Sequence, residues 1–247
     1  MRPPQGAQAA LRAIRLLKLF TNERPEMSLA EISQRSGLNK TTTHRLLRAL
    51  QSESLIDRNP SSNAYSLGAG LMALGIQALA SCDLRRRVRP LLKALARESG
   101  ETATLEVPVG DRMLILDEVT GSHVAAAGNI GTCWPMHATS TGKAWIAFDR
   151  SGINRIADHL KPYTAKTLTS KEQIEPQITD IRRRGYAVTV DELEDGFTAI
   201  GTVIRGVLGD VEGAVSIGGP TQRFSEARRA ELGTSLCRAA ARLNSGP

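Results

Sequence analysis

Two short helices with well-marked ends constrain this chain more than any other feature of its sequence. Ser28 is a typical N-cap, and Glu31 stands three residues later, so the two residues can form a capping box. Gly37 can adopt the left-handed conformation that ends the first helix, and Asn39 can cap the start of the second. This spacing predicts a helix-turn-helix with helices over 29–36 and 40–53.

The neighbouring segments extend this unit on both sides. Apolar residues recur at helical spacing between 7 and 20, which predicts a preceding helix. After the second helix, short segments at 55–58 and 64–67 flank a turn-rich tip, which is the pattern of a β-hairpin. Residues 7–67 are therefore interpreted as a winged helix-turn-helix domain.

The second helix of the pair begins with short polar side chains and carries arginines. The N-terminal part of such a helix enters the major groove, where hydroxyl groups and arginines can reach phosphates or base edges. Residues 1–67 contain ten Lys or Arg against five Asp or Glu, in a chain of net charge +7, and this excess suits phosphate contacts. We expect double-stranded operator DNA as a partner, bound by Lys40, Thr41, Thr42, Thr43, His44, Arg45 and Arg48, with Arg58 in the wing.

Beyond the hairpin the character of the chain changes. An apolar stretch at 68–82 is interpreted as a linker helix, and residues 83–245 as a second domain. Strands and helices alternate there without a regular repeat, which favours an α+β fold. The predicted strands cover 104–109, 113–119, 122–132, 187–190, 198–204 and 213–217, and the predicted helices cover 84–99, 141–148, 153–160, 171–184 and 225–243.

Cysteine content and hydropathy limit the cellular setting. Cys82, Cys133 and Cys237 are few, odd in number and far apart, so they do not form a disulfide framework and favour a reducing compartment. Basic residues interrupt the apolar N-terminal segment, so no signal peptide is predicted. Apolar runs fall short of the roughly 20 residues that span a bilayer. We expect a soluble, cytoplasmic protein that does not bind a membrane.

Enzymatic chemistry finds little support in the sequence. Cys133 and His137 can pair as nucleophile and base, but no orienting acid stands nearby. Gly142-Lys143 resembles the end of a P-loop, yet His137 replaces its first glycine and Ala144 its magnesium-binding hydroxyl residue. The acidic run at 191–195 is interpreted as a solvated loop. We expect no catalytic residue, no metal and no cofactor.

A binding site is a better interpretation of the loop at 139–142. This loop precedes a predicted helix that starts near Lys143. Free backbone N–H groups at a helix start, reinforced by the helix dipole, favour an anion. A small carboxylate is therefore the expected ligand of this loop.

Four segments together resemble one known family. SLAEISQRSGLNKTTTHRLLRALQSESLIDR with YSLG, HATSTGKAW (137–145), RRRGYAVTVDELEDGFTAIGTVI (182–204) and GAVSIGGPTQRFS (213–225) are similar, in this order, to signatures of the IclR family of bacterial regulators. The resemblance implies a C-terminal GAF-like domain that binds an effector, with a mixed or antiparallel sheet flanked by helices. It also implies a homodimer that can pair into a homotetramer, and control of nearby catabolic or transport genes.

The resemblance places the effector against the 139–142 loop and three strand segments. Members that sense small polar acids usually carry Cys at the position of Ala199, Asp near Thr189 and a second Ser near Gly218, and this chain lacks all three. The pocket should then be wider and more apolar, with Trp134 as a further candidate. We expect an aromatic or alicyclic acid with its carboxylate near 140–142, bound by Met136, Ser140, Thr141, Gly142, Thr189, Phe197, Ala199, Ser216 and Gly218.

Some interpretations stay open at this level. Trp134 and Trp145 can be core residues instead of ligand contacts, and the arginines at 85–89 can contact DNA or face solvent. Repression and activation are equally compatible with the sequence. The alternative function is a GAF-like small-molecule-binding module, or a hydrolytic enzyme, whose helix-turn-helix serves protein contact.

Overall fold

The computed structural model describes residues 6–21, 24–123 and 129–244. The chain divides into two compact units, Met1–Ser81 and Cys82–Pro247. Each unit has its own apolar core, as expected for a chain of this length.

The N-terminal unit is a small helical bundle with a three-stranded sheet. Strand β3 lies between β1 and β2, and both pairings are antiparallel. Its elements are α1 (Gln8–Leu17), β1 (Glu26–Met27), α2 (Leu29–Ser36), α3 (Lys40–Ser52), β2 (Ile56–Arg58), β3 (Tyr65–Leu67) and α4 (Ala69–Ser81).

The predicted helix caps are confirmed. The Ser28 backbone N–H donates to Glu31 Oε2 at 2.8 Å, and the Glu31 N–H donates to Ser28 Oγ at 3.3 Å. Gly37 ends α2 with φ of 67°, a conformation that glycine adopts without steric cost. Asn39 Oδ1 accepts from the Thr42 N–H at 2.8 Å and starts α3. These caps end α2 and begin α3 at the predicted residues.

Helix α4 differs from the other helices of this unit. Its thirteen residues are mostly apolar, yet none of them is buried. Met72 is 64% exposed and Ile76 is 67% exposed. A helix that is apolar all round is normally covered, so this exposed surface is available to a partner.

The C-terminal unit is built on a six-stranded antiparallel sheet. The strand order is β6-β5-β4-β9-β8-β7. The elements are α5 (Asp83–Ser99), β4 (Thr102–Val109), β5 (Arg112–Val119), β6 (Cys133–Pro135), α6 (Ser140–Phe148), α7 (Lys171–Arg184), β7 (Ala187–Val190), β8 (Phe197–Arg205), β9 (Val211–Pro220) and α8 (Glu226–Asn244).

Apolar cores cover both faces of this sheet. On one face, Leu92 of α5 and Leu236 of α8 belong to the same buried cluster as Leu105 of β4. On the other face, Ile146 of α6 and Ile178 of α7 belong to a second cluster. The α+β fold expected from the irregular alternation of elements is therefore confirmed.

One predicted helix is wrong, and one predicted strand is tested only in part. The expected helix at 153–160 is a single 3-10 turn at Gly152–Arg155. Its second half is extended, because the Leu160 N–H donates to Thr169 O and His159 pairs with Ser170. The expected strand at 122–132 lies partly outside the described residues, and its described part is not a strand; the strand follows at Cys133–Pro135.

Among the described residues, no helix is both long and apolar enough to cross a membrane.

Candidate functional site

The outward face of α3 carries most of the predicted DNA-binding side chains. Lys40, Thr41, Arg45 and Arg48 are exposed, and Thr42 and His44 are half-buried. The opposite face carries Leu46, Leu47 and Leu50, which are buried in the core of the N-terminal unit. This division leaves the start of the helix and its two arginines accessible.

Thr43 does not belong to this set. Its side chain is fully buried, and its hydroxyl donates to the Asn39 carbonyl at 3.0 Å. A side chain in this position packs the first turn of α3 instead of reaching a groove. The prediction failed because Thr43 falls on the same helical stripe as Leu46, Leu47 and Leu50.

Arg58 is exposed at the end of β2, in the hairpin expected to form the wing. Its guanidinium donates to Asn63 Oδ1 at 2.8 Å and lies 5.6 Å from the centre of the Tyr65 ring. Asn63 has φ of 57°, which its side chain tolerates in a tight turn. The tip therefore holds the arginine in one orientation.

The arginines of α5 make ion pairs within the C-terminal unit. Arg85 and Arg89 both pair with Asp117 of β5, which is fully buried, and Arg87 pairs with Glu212 of β9. These contacts favour a role in holding α5 to the sheet over the two alternatives that the sequence left open.

A cavity lies between α6 and the face of the sheet that α6 covers. The space between its lining atoms is about 460 Å³, which includes space open to solvent. Seven of the nine predicted effector-binding residues line it, together with Trp134. The lining is Thr104, Glu106, Trp134, Ala138, Thr139, Ser140, Thr141, Thr189, Leu193, Phe197, Ala199, Ser216 and Gly218.

Alternation along the strands explains this convergence. Five lining residues on these strands are each directly next in sequence to a buried apolar residue of the core. They are Thr104 and Glu106 on β4, Ser216 and Gly218 on β9, and Ala199 on β8. Residues two apart on a strand face the same side. The cavity wall is therefore a set of every-second positions from adjacent strands.

Met136 and Gly142 do not line the cavity. Met136 is fully buried in the core beside α6 and α7. A Cβ added to Gly142 would lie 2.2 Å from the Met136 carbonyl oxygen, so glycine is needed for close packing of the two segments. The two residues pack against each other and are not lining residues, which corrects their assignment as ligand contacts.

Glu106 is the unexpected residue of the cavity. It is buried, its Oε1 accepts from the Thr104 hydroxyl at 2.9 Å, and its Oε2 accepts from the Thr141 hydroxyl at 2.7 Å. Burial is the main cause that raises the pKa of Glu106, against the lowering effect of these hydrogen bonds. The only feature of the sequence that could have indicated this role is a carboxylate inside a predicted strand of alternating polar and apolar residues.

Lys143 of α6 does not line the cavity. It is fully buried and forms an ion pair with Glu192. Its ammonium also donates to Gln177 Oε1 of α7 at 2.7 Å. Burial lowers the pKa of Lys143 and raises that of Glu192, while their mutual attraction opposes both changes. Glu192 therefore departs from the predicted solvated loop, although Glu194 and Asp195 are exposed as expected.

Cys133 and His137 lack the features of a nucleophile and base. Burial raises the pKa of the Cys133 thiol, whereas an activated thiol needs a lowered one. His137 Nε2 lies 3.0 Å from the Lys161 carbonyl oxygen, so this nitrogen is occupied by the backbone. Within the described ranges, no group of three His, Cys, Asp or Glu side chains is placed to hold a metal ion.

Comparisons with known proteins agree across both units. The IclR helix-turn-helix domain matches residues 9–60, and the C-terminal domain of bacterial transcriptional regulator IclR matches residues 76–245. The chain is 30% identical over 233 residues to the HTH-type transcriptional regulator XynR of Escherichia coli, covering 93% of this chain and 92% of XynR.

Solved structures show the same architecture. An IclR-type regulator from Silicibacter sp. TM1040 superposes with a TM-score of 0.85 at 26% identity, covering 96% of this chain and 95% of the other. An IclR homologue from Microbacterium hydrocarbonoxydans, solved in complex with 4-hydroxybenzoate, has a TM-score of 0.74 at 23% identity, covering 96% and 98%.

These proteins are transcriptional regulators and not enzymes. The N-terminal unit of this chain is accordingly a DNA-binding domain, and its C-terminal unit is an effector-binding domain. With both family domains matched in order over most of its length, the chain belongs to the IclR family of bacterial transcriptional regulators.

Proposed function

We propose that this regulator binds, as a homodimer, an operator with two half-sites, and that an aromatic or alicyclic carboxylic acid in the cavity of its C-terminal unit changes this binding. The observation that carries the proposal is the pairing of an exposed basic recognition helix with a separate, largely apolar cavity. Two such dimers can form a tetramer on longer operators.

The DNA contacts are supported by the exposed positions of α3. Arg45 and Arg48 stand where arginine reaches phosphate or guanine, and Thr41 stands at the helix start that enters the groove. Lys40, Thr42 and His44 lie beside them, and Arg58 adds a contact from the hairpin. Most of these contacts are electrostatic, so binding should weaken as salt rises.

The homodimer is supported by α4. Its exposed apolar side chains, including Met72, Leu74 and Ile76, form a surface that a single chain leaves in water. A second copy is the natural cover, because a symmetric dimer also presents two recognition helices to two half-sites.

The effector class is supported by the lining of the cavity. Trp134, Leu193 and Phe197 give it apolar walls, and Ala199 leaves room that a larger side chain would fill. Ser140, Thr141 and Ser216 supply hydroxyls, and Thr189 and Gly218 complete the wall. A protein of the same fold was solved with 4-hydroxybenzoate, a single-ring acid, which agrees with this assignment.

Control requires that the effector favour one of two arrangements of the dimer. A ligand shifts such an equilibrium only by its different affinities for the two states. The linker helix α4 directly precedes α5 in the chain and is the proposed route by which the bias reaches the DNA-binding domains.

Gel-shift assays of the full chain on DNA upstream of its own gene test this function. We expect a salt-sensitive shift that benzoate, 4-hydroxybenzoate or cyclohexanecarboxylate alters at lower concentration than glyoxylate or pyruvate. A folded protein that shifts no fragment of its source genome overturns the DNA-binding assignment. A response to glyoxylate or pyruvate alone overturns the effector class.

A further inference from the structure

A continuous chain of hydrogen bonds connects Glu106 to the cavity surface. Ser216 Oγ lies 2.7 Å from Thr104 Oγ1, and Thr104 Oγ1 lies 2.9 Å from Glu106 Oε1. On the other side, the Thr141 hydroxyl lies 2.7 Å from Glu106 Oε2. All four residues line the cavity, and three different elements supply them: β4, β9 and α6.

Each hydroxyl has a single hydrogen, and this fixes the direction of the chain. When Glu106 is ionised it only accepts, so Thr104 and Thr141 both give their hydrogens to it. Ser216 must then give its hydrogen to Thr104. In this state the three hydroxyls offer lone pairs to a ligand and no hydrogen.

A proton on Glu106 reverses this polarity. When the proton sits on Oε1, Glu106 donates to Thr104, Thr104 donates to Ser216, and the Ser216 hydrogen becomes free for a ligand. When it sits on Oε2, the Thr141 hydrogen becomes free instead. The balance is simple: one proton is taken from solvent, and one hydroxyl hydrogen turns towards the cavity.

An effector carboxylate placed against these three hydroxyls needs such a hydrogen and is repelled by the negative charge of ionised Glu106. Glu106 is the one ionisable side chain among the described cavity-lining residues, so no cation there offsets its charge. Among the elements packed against Glu106, β5 contributes the charged side chain of Glu118. Strand β9 and helix α6 contribute the uncharged side chains of Ser216 and Thr141. Lys143, two residues after Thr141, directs its ammonium to Glu192 and Gln177.

We propose that Glu106 determines effector specificity in this protein, and that a carboxylate effector binds only together with one proton taken up by Glu106. This inference rests on the carboxylate effector of the proposed function. Ligands that bring a hydrogen-bond donor in place of the charge bind to the ionised form without proton uptake. Burial already raises the pKa of Glu106, which lowers the cost of protonation near neutral pH.

Isothermal titration calorimetry of the full chain tests the proposal with benzoate and its neutral analogue benzamide. Titrations in buffers of different ionisation enthalpy report the protons taken up. For the wild type we expect uptake approaching one proton for benzoate and none for benzamide. Above the pKa of Glu106, the ratio of benzoate to benzamide affinity should fall about tenfold per pH unit.

The variant Glu106→Gln separates this carboxyl from other sources of pH dependence. Its neutral amide reproduces the protonated state, so the affinity ratio should stay constant from about pH 5 to about pH 8. The matched control Glu118→Gln changes a carboxyl on the adjacent strand that does not line the cavity. It should keep the proton uptake and the fall of about tenfold per pH unit, with the fall beginning at lower pH because the charge of Glu118 helps to raise the pKa of Glu106.

Other results overturn the inference. Benzoate binding without proton uptake, or uptake that persists in Glu106→Gln, removes the role of Glu106 and leaves the proposed effector class intact. If neither benzoate, 4-hydroxybenzoate nor cyclohexanecarboxylate binds wild type or Glu106→Gln at any pH in this range, the carboxylate effector itself is wrong and this inference falls with it.

Discussion

Lys143 and Glu192 form an ion pair in which the two side chains are only 0% and 9% exposed. Lys143 lies on α6, and Glu192 directly precedes Leu193, which lines the cavity. The pair therefore holds the loop before β8 against the helix that starts at the cavity. Because the loop is anchored in this way, Leu193 and Phe197 are positioned at the cavity before a ligand binds.

Removing one partner should be costly. In Lys143→Met the carboxylate of Glu192 is left buried and unpaired, and we expect a loss of about 3–5 kcal/mol in the free energy of unfolding. Urea unfolding measures it. Lys166→Met is the matched control, because Lys166 is 60% exposed in its ion pair with Asp191 and should contribute about 0–1 kcal/mol. Equal losses in the two variants would contradict the assignment.

The stability of the protein should fall with pH through Glu106. Its pKa in the folded state is raised above 4.5, so the folded state holds this proton more tightly than the unfolded state does. The contribution of Glu106 to the free energy of unfolding is therefore present at low pH. It is lost as the pH rises through the pKa that Glu106 has in the folded state. Relative to wild type, Glu106→Gln should gain stability over that interval. Parallel urea midpoints at all pH values would refute the shift.

DNA affinity should depend on Arg45. The variant Arg45→Ala removes an exposed positive charge from α3, so binding should weaken and the slope of log affinity against log salt should decrease by about one unit. Fluorescence anisotropy at several salt concentrations measures both. The control Arg97→Ala removes an exposed arginine from α5 and should change neither quantity.

The oligomeric state should depend on α4. Ile76→Glu places a charge on the exposed apolar surface, and burying that charge in a dimer would be strongly unfavourable. We expect sedimentation velocity to show a shift towards monomer, with unchanged helix content. Gln77→Glu adds the same charge at the neighbouring polar position and should leave dimerisation closer to wild type. An Ile76→Glu protein that remains dimeric at all concentrations excludes this part of α4 from the interface.

Gly218 should control the position of Phe197. A Cβ added at Gly218 would lie 2.8 Å from Phe197 Cζ, so Gly218→Ala must push the ring aside. Overpacking of this kind costs about 1–3 kcal/mol in the free energy of unfolding. The displaced ring also takes up space in the cavity, so the affinity for the effector should fall. Calorimetry with benzoate measures it. Adding Phe197→Leu removes the clashing atom and should recover part of the loss; no recovery would point to a different cause.

Local signals were sufficient for the DNA-binding unit. The caps at Ser28 and Asn39 and the glycine at 37 act within one helical turn, so the sequence alone places α2 and α3 correctly. Thr43 was misassigned because its polarity outweighed its position on the buried stripe. The helix expected at 153–160 failed because strand-like pairing of Leu160 with Thr169 competes with helical hydrogen bonds.

The cavity was only partly predictable. The strands carrying Thr189, Phe197 and Ser216 could be placed by resemblance, but the contribution of β4 depends on its antiparallel pairing with β9. Thr104 and Ser216 are partners in that register, although they are 112 residues apart in sequence. No local pattern contains this contact, so Glu106 becomes visible only when the sheet is assembled.

The glycines beside α6 have a consequence for engineering. Besides Gly142, Gly201 of β8 allows a close approach, since a Cβ there would lie 2.8 Å from the Thr141 nitrogen. The start of α6 is thus in close backbone contact with its neighbours at both glycines, so this wall of the cavity tolerates few substitutions. The opposite wall consists of separate side chains such as Thr189, Phe197 and Ala199. A biosensor for a new metabolite is best evolved at those positions, where side-chain libraries can alter ligand choice without disturbing the scaffold.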